Sequence, residues 1–80
     1  MLDSARRRQG QLRLLDLYGS LLTEHQRHIL HLAWELDWSY GEIAQQQGVS
    51  RTAIYDVVRR TMSNLDDYER KLGLARIQHV

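Results

Sequence analysis

Helix-breaking residues are scarce in this chain, and their scarcity limits the folds that it can adopt. Proline is absent, and only five glycines interrupt the 80 residues. No segment shows the two-residue alternation of Val, Ile, Thr or Tyr with polar residues that is typical of a half-buried strand. Long stretches without breakers, in which apolar residues recur every three or four positions, are typical of helices. The sequence therefore predicts an all-α fold of four main helices.

The composition narrows the class of protein further. A chain of 80 residues has room for one small domain. Its net charge of +1 excludes a simple polybasic arm or an acidic tail, and the lack of cysteine excludes a disulfide scaffold and a thiolate metal site. There is no apolar run near the ~18 residues of a membrane span and no signal-peptide pattern. We therefore expect a cytoplasmic protein.

The chain divides into three predicted segments. Residues 1–10 have little periodicity and contain the basic run Arg6–Arg8, so we expect a flexible basic N-terminal segment. This run is either a solvated end or an arm that reaches nucleic-acid phosphates. Residues 11–73 carry the helical pattern and form the predicted domain. Residues 74–80 form a C-terminal end whose pattern is ambiguous.

Capping signals and glycines predict where the first two helices begin and end. The first helix is predicted to run from Gln11 to about Gly19. Thr23 is a good N-cap, and Gln26 follows three residues later, which is the pattern of a capping box. The second helix is therefore predicted at residues 24–36.

The same signals recur before the third and fourth helices. Ser39 and Glu42 predict a second capping box, and Gly48 is expected to end this short third helix in a left-handed conformation. Ser50 is expected to cap a fourth helix. No breaker follows before Gly73, so the fourth helix is predicted to be long.

The segment at residues 40–60 has the spacing of a helix-turn-helix. Ala44 provides the small residue that two closely crossing helices need, and Gly48 follows four residues later where the chain must turn. Val49 is expected to bury the turn. The alternative is an ordinary helical hairpin with a glycine turn.

A helix-turn-helix places the start of its second helix against base edges in the major groove. Arginine can pair with guanine or phosphate, and hydroxyl groups can donate to phosphate. Asp56 would repel phosphate unless it accepts from a cytosine amine or orients Arg60. The alternative is that the outward residues are simply the solvated face of a helix. The candidate nucleic-acid-binding residues are Ser50, Arg51, Thr52, Tyr55, Arg59 and Arg60.

Histidines and tryptophans in the second helix permit other interpretations. His25, His28 and His31 share a helix face, which permits a metal pair, but no second ligand cluster joins them. A polar face is the favoured interpretation, and we expect no metal or other cofactor. Trp34 and Trp38 are expected to cover the core, with base stacking as the minority interpretation.

The C-terminal half of the fourth helix carries an apolar stripe. Leu65, Tyr68 and Leu72 either fold back on the first helix or seal a homodimer. Catalysis finds no support, because the chain has no nucleophile with a plausible base and no phosphate-cradling glycine loop. We therefore expect a protein that is not an enzyme.

Four segments together have the pattern of a known family: Tyr18–Thr23, Gly41–Ala44, Val49–Asp56 and Leu65–Leu72. They resemble the YlxM family of bacterial helix-turn-helix proteins. The resemblance covers about three quarters of the chain. The Ser39–Ala44 segment with Gly48 and Ser50 is also similar to region 4 of sigma factors.

The resemblance implies a small helical domain of the sigma region 4 type in a cytosolic regulator. It also implies an association with the signal recognition particle pathway, by binding to the particle, its RNA or DNA. A contact to RNA polymerase at a promoter is a further possibility that the likeness to sigma factors raises. Family members usually continue into a C-terminal helical tail longer than residues 74–80.

Overall fold

The computed structural model describes the backbone of residues 2–77 and the side chains of residues 8–75. Helices account for nearly all of this backbone, and no strand occurs within it, so the all-α prediction is confirmed. None of the described helices is long and apolar enough to cross a membrane. The α-helices are α1 (Leu2–Tyr18), α2 (Glu24–Leu30), α3 (Tyr40–Gln47), α4 (Arg51–Leu72) and α5 (Leu74–Ile77).

The first helix extends further towards the N terminus than the predicted start at Gln11, because α1 begins at Leu2. Contacts distant in sequence explain part of the extension. The Arg8 guanidinium donates to the Trp34 carbonyl oxygen across 3.1 Å and to the Asp37 carboxylate across 2.7 Å. Whether residues 1–10 are mobile stays a prediction, and the side chains of the Arg6–Arg8 run are described only at Arg8.

The second helix starts as predicted and ends differently. Both hydrogen bonds of the capping box between Thr23 and Gln26 are present, each 3.1 Å long. The last turn, His31–Glu35, is wound as a π-helix, in which the Leu36 amide donates to the His31 carbonyl oxygen across 3.1 Å. The regular α-helix predicted to residue 36 is therefore wrong in its final turn.

The end of this π-helical segment is closed by a residue with positive φ. Asp37 has a φ of 58°, and the Trp38 amide donates across 2.9 Å to the Leu32 carbonyl oxygen six residues earlier. This hydrogen bond spans one residue more than that of a Schellman motif, in which glycine is the usual left-handed residue. Arg8 binds the Asp37 side chain, so α1 is joined to the connection between α2 and α3.

The core lies where α1, α2 and α3 pack on α4. Trp34 is buried, as predicted, and Trp38 is half-buried against the same core. The prediction that the stripe of α4 folds back on the first helix is confirmed for Leu65, which is buried, and for Tyr68, whose ring lies 6.0 Å from that of Tyr18. Leu72 departs from it, with 52% of its surface exposed beyond the edge of the core. The most deeply buried large side chains are Tyr18, Ile29, Leu30, Ile43, Ile54 and Leu65.

The chain turns sharply after α4 and returns to α1. Gly73 ends α4 as predicted, with a φ of 64° that favours glycine, and its amide donates to the Glu69 carbonyl oxygen. Residues 74–77 form the short helix α5, which contacts α1. The Arg13 guanidinium donates to the Ala75 carbonyl oxygen across 3.3 Å, which ties α5 to α1. The last three residues of the predicted C-terminal end, 78–80, lie outside the described part of the chain.

Candidate nucleic-acid interface

The turn between α3 and α4 has the geometry that the sequence spacing predicts. Gly48 has a φ of 69°, and its amide donates a hydrogen bond to the carbonyl oxygen of Ala44. The Ala44 residue is buried. The prediction that Val49 buries the turn is wrong, because 47% of its surface is exposed. Its backbone closes the turn instead, since the Val49 amide donates to the same Ala44 oxygen across 3.0 Å.

The start of α3 is fixed by the predicted capping box. The Ser39 amide donates to Glu42 Oε1 across 2.8 Å, and the Glu42 amide donates to Ser39 Oγ across 3.1 Å. The hydrogen bond from the Ser39 backbone, followed by that involving its side chain, lowers the pKa of the Glu42 carboxyl from its ordinary value of 4.5. The carboxylate therefore stays ionised at the N-terminus of α3, where the helix dipole favours it.

Ser50 fixes the start of α4 in the same way. Its hydroxyl oxygen accepts a hydrogen bond from the Ala53 amide across 3.1 Å. An N-cap serine satisfies one of the free amides of the first turn. Among the predicted site residues, Ser50 therefore has a structural role that is already filled, although the residue is exposed.

The first three turns of α4 separate an inward from an outward face. Ile54 and Val58 are 1% and 2% exposed and pack in the core, with Val57 partly buried beside them. On the opposite face the structure brings together five predicted site residues, and all of them are exposed: Arg51, Thr52, Tyr55, Arg59 and Arg60.

Tyr55 is the large aromatic residue of the outward face. It is 53% exposed, and its ring packs edge-on against Tyr40 with a centroid distance of 6.3 Å and an interplanar angle of 62°. Tyr40 is the first residue of α3, so this contact joins the two helices at the outer surface. Tyr40 is absent from the predicted site residues, because nothing in the spacing of the two tyrosines indicates that their rings meet.

Charges on the outward face are paired only in part. Asp56 lies beside Arg59, with 3.8 Å between Asp56 Oδ1 and Arg59 Nη2. The carboxylate therefore pairs with the arginine three residues away and not with Arg60, which was one of the two alternatives for it. Within the described residues, no ion pair involves Arg51 or Arg60, so their guanidinium groups are open to a ligand.

A shallow cleft lies beside the start of α4. Arg51 lines it together with Trp38 and Tyr40 from the α3 side and Arg8 from α1. Of its two arginines, Arg8 is already bound to Asp37, whereas Arg51 has no such partner among the described ion pairs. The cleft therefore extends the cationic and aromatic character of the outward face towards α1.

The three histidines of the second helix lie on its outer side. His25, His28 and His31 are all exposed, and His31 Nδ1 lies 3.0 Å from Glu35 Oε1. Among the described residues, no group of three or more His, Cys, Asp or Glu side chains has the geometry to hold a metal ion.

Comparison with known proteins places the chain among relatives of one type. Residues 5–80 match the family described as "Putative helix-turn-helix protein, YlxM / p13 like". The UPF0122 protein of Geobacillus kaustophilus is 52% identical over 63 residues, which cover 79% of this chain and 57% of the relative.

Two further relatives match the chain over nearly the same length. The UPF0122 protein of Desulforamulus reducens is 49% identical over 61 residues, covering 76% of this chain and 52% of the relative. That of Clostridium novyi is 46% identical over 63 residues, covering 79% and 55%. The chain thus spans about half the length of the curated relatives it matches.

Proposed function

The chain belongs to the YlxM / p13-like family of helix-turn-helix proteins, and from this premise we propose that it is a non-enzymatic regulatory protein that binds nucleic acid. Its ligand is duplex DNA, with the start of α4 in the major groove. The family description names a structural motif and no catalytic activity. Binding to DNA in a bacterial cell implies that the protein acts in the cytoplasm.

One observation carries the proposal, which is the open cationic face at the start of α4. Arg51 and Arg60 are exposed and take part in no described ion pair, and Thr52 and Tyr55 lie between them. Two arginines and two hydroxyl groups match the donors that DNA-binding helices present to phosphates and base edges. The rigid support of α3 behind this face, with both helix starts capped, favours the same function.

A salt titration tests the proposal. Binding of fluorescent random-sequence duplex DNA is measured by anisotropy from low to moderate salt for the wild type and for Arg51→Ala/Arg60→Ala. Each arginine that meets a phosphate contributes about 0.9 to the slope of log affinity against log salt. We expect the double variant to bind more weakly and to lose about two units of slope.

The matched control lies on the same helix. Arg70→Ala/Lys71→Ala also removes two positive charges from exposed positions, at the far end of α4. We expect this control to leave the salt slope within one unit of the wild type, because its charges lie outside the proposed interface. Absence of salt-dependent binding by the wild type would refute DNA as the ligand.

Exposed apolar residues at the other end of α4 favour a second candidate function. Leu72 and Leu74 are 52% and 38% exposed on either side of the Gly73 turn. They would suit an adaptor that contacts a protein or ribonucleoprotein without reading DNA, and the family resemblance makes components of the signal recognition particle the first to test. RNA polymerase, in a contact of the sigma region 4 type, is the other partner of this kind.

The adaptor is tested by pull-down with purified signal recognition particle or RNA polymerase. Loss of capture with Leu72→Ser/Leu74→Ser, while Arg51→Ala/Arg60→Ala is still captured, would support it. The reverse pattern would favour the nucleic-acid face. The same apolar residues could instead seal a homodimer, which sedimentation of the serine variant against the wild type would detect.

A further inference from the structure

Asp56 occupies an unusual place in the outward face of α4. It lies one helical turn after Thr52, and its side chain is 43% exposed. It is the only acidic residue between Arg51 and Arg60. A carboxylate at this position repels the phosphates that its arginine neighbours attract, so it opposes non-specific binding.

Among the described residues, this carboxylate takes part in one ion pair, which is weak. Its neighbour Arg59 lies 3.8 Å away, beyond the 2.7–3.2 Å of a hydrogen bond, and the Arg59 side chain is 68% exposed. Exposed ion pairs of this kind stabilise a helix only slightly. The pair is therefore easily opened, and each partner remains available to another ligand.

The chemistry of base edges provides a role for the carboxylate. In the major groove, Asp and Glu accept a hydrogen bond from the N4 amine of cytosine. Adenine also presents an amine, N6, but the acceptor N7 lies beside it on the same base. Recognition helices contact base edges through residues in their first turns, where Asp56 and Thr52 share one face.

We infer that Asp56 is a specificity-determining residue that selects cytosine at one position of a duplex site, an inference that rests on the proposed DNA-binding function. At a matching site, the carboxylate accepts from cytosine N4, and Arg59 is released to a backbone phosphate. At other sequences, the carboxylate meets no base-edge donor and retains Arg59, so one phosphate contact is missing and binding is weaker.

The experiment is selection from a randomised duplex pool with the wild type and with Asp56→Asn, followed by affinity measurements on the selected and scrambled duplexes. The wild type is expected to select a cytosine at one position. Asparagine pairs with N6 and N7 of adenine, so the variant is expected to change the preference at that position alone from cytosine to adenine. Its affinity for scrambled duplex is expected to rise about tenfold, as one repulsive charge is removed.

Asp66→Asn is the matched control, because Asp66 is an exposed carboxylate further along the same helix. We expect it to leave the selected sequence and the scrambled affinity unchanged. A wild type that binds no duplex at any salt refutes the proposed function itself. A wild type that binds, with Asp56→Asn raising affinity for all sequences equally or changing nothing, supports DNA binding and overturns the role of Asp56.

Discussion

The hydroxyl group of Tyr18, near the end of α1, lies 2.6 Å from Glu69 Oε1, in the last turns of α4, and donates a hydrogen bond to it. The same hydroxyl oxygen accepts from the Leu74 amide across 3.0 Å, and Glu69 Oε1 also accepts from the Ala75 amide across 3.2 Å. Burial raises the pKa of Tyr18 above its ordinary 10.0, and the hydrogen bond to Glu69 raises it further. One phenol therefore joins α1, α4 and α5.

Removing this hydroxyl is expected to destabilise the domain. Tyr18→Phe keeps the buried ring but removes the hydroxyl that accepts from the Leu74 amide and donates to Glu69 Oε1. We expect the melting temperature to fall by about 4–8 °C, measured by circular dichroism. Tyr68→Phe is the control, since no hydrogen bond of the Tyr68 hydroxyl is described, and it should melt within about 2 °C of the wild type. Equal melting of both variants would contradict the role of the Tyr18 hydroxyl.

Acid should weaken the start of α3 through Glu42. Its pKa is lowered in the folded chain by the hydrogen bonds at Ser39, so the unfolded chain binds a proton first as pH falls. The stabilisation is complete above the ordinary pKa of 4.5 and is lost as pH drops through the lower folded value. Urea unfolding from pH 7 to pH 3 should show a smaller acid loss for Glu42→Gln, whose amide can still cap but does not titrate. An unchanged acid loss in this variant would contradict the prediction.

Replacing Asp37 by glycine should stabilise the protein. A left-handed conformation costs an L-residue about 1–2 kcal/mol, whereas an exposed ion pair such as that with Arg8 contributes about 0.2–1 kcal/mol. Asp37→Gly removes the cost of the left-handed conformation and loses the ion pair. We therefore expect the free energy of unfolding to rise by about 0.5–1 kcal/mol in urea titrations. Asp37→Ala loses the ion pair without relieving the backbone, and should lower that free energy. A lower free energy of unfolding for Asp37→Gly than for the wild type would show that the ion pair is the stronger effect.

Two glycines near the helix-turn-helix should respond to alanine with opposite signs. Gly48 has a positive φ, and a Cβ added there would have no neighbouring atom within 4 Å, so Gly48→Ala should cost about 1–2 kcal/mol through backbone strain alone. Gly41 lies in the first turn of α3 without a positive φ, and a Cβ there meets only Ser39 Oγ, at an ordinary 3.9 Å. Gly41→Ala should therefore stabilise the protein by about 0.5 kcal/mol. Chemical denaturation of both variants is the measurement, and a shared sign would contradict the prediction.

The parts of the fold that local signals determine were predictable from the sequence. Thr23, Ser39 and Ser50 cap the helices that follow them, and Gly48 and Gly73 end helices in left-handed conformations. Each of these features depends on residues within four positions, so a linear pattern contains the whole signal.

The features that escaped prediction depend on residues far apart in the chain. The pairing of Arg8 with Asp37 spans 29 residues, and it accompanies both the longer α1 and the unusual end of the π-helical segment. The left-handed conformation of an aspartate at a helix end cannot be predicted from the spacing of apolar residues. The side chain of Val49 is exposed although the sequence predicts that it buries the turn, because the backbone amide of Val49 closes the turn instead.

The candidate site was predictable to a similar degree. Helical periodicity correctly separates buried Ile54 and Val58 from the exposed side chains around them. It does not determine rotamers, so the pairing of Asp56 with Arg59 and the contact of Tyr55 with Tyr40 required the structure. Binding by the exposed residues stays a prediction until it is measured.

The continuity of α4 has a mechanical consequence. Its 22 residues run without a break from Arg51 to Leu72, which corresponds to a rod about 33 Å long. One end carries the outward arginines, and the other is joined to α1 by the hydrogen bond from the Tyr18 hydroxyl to Glu69. An unbroken rod bends little, so a tilt imposed at its fastened end swings the opposite end through the same angle. A movement of the Gly73 turn would therefore change the orientation of Arg51 at the other end of the helix.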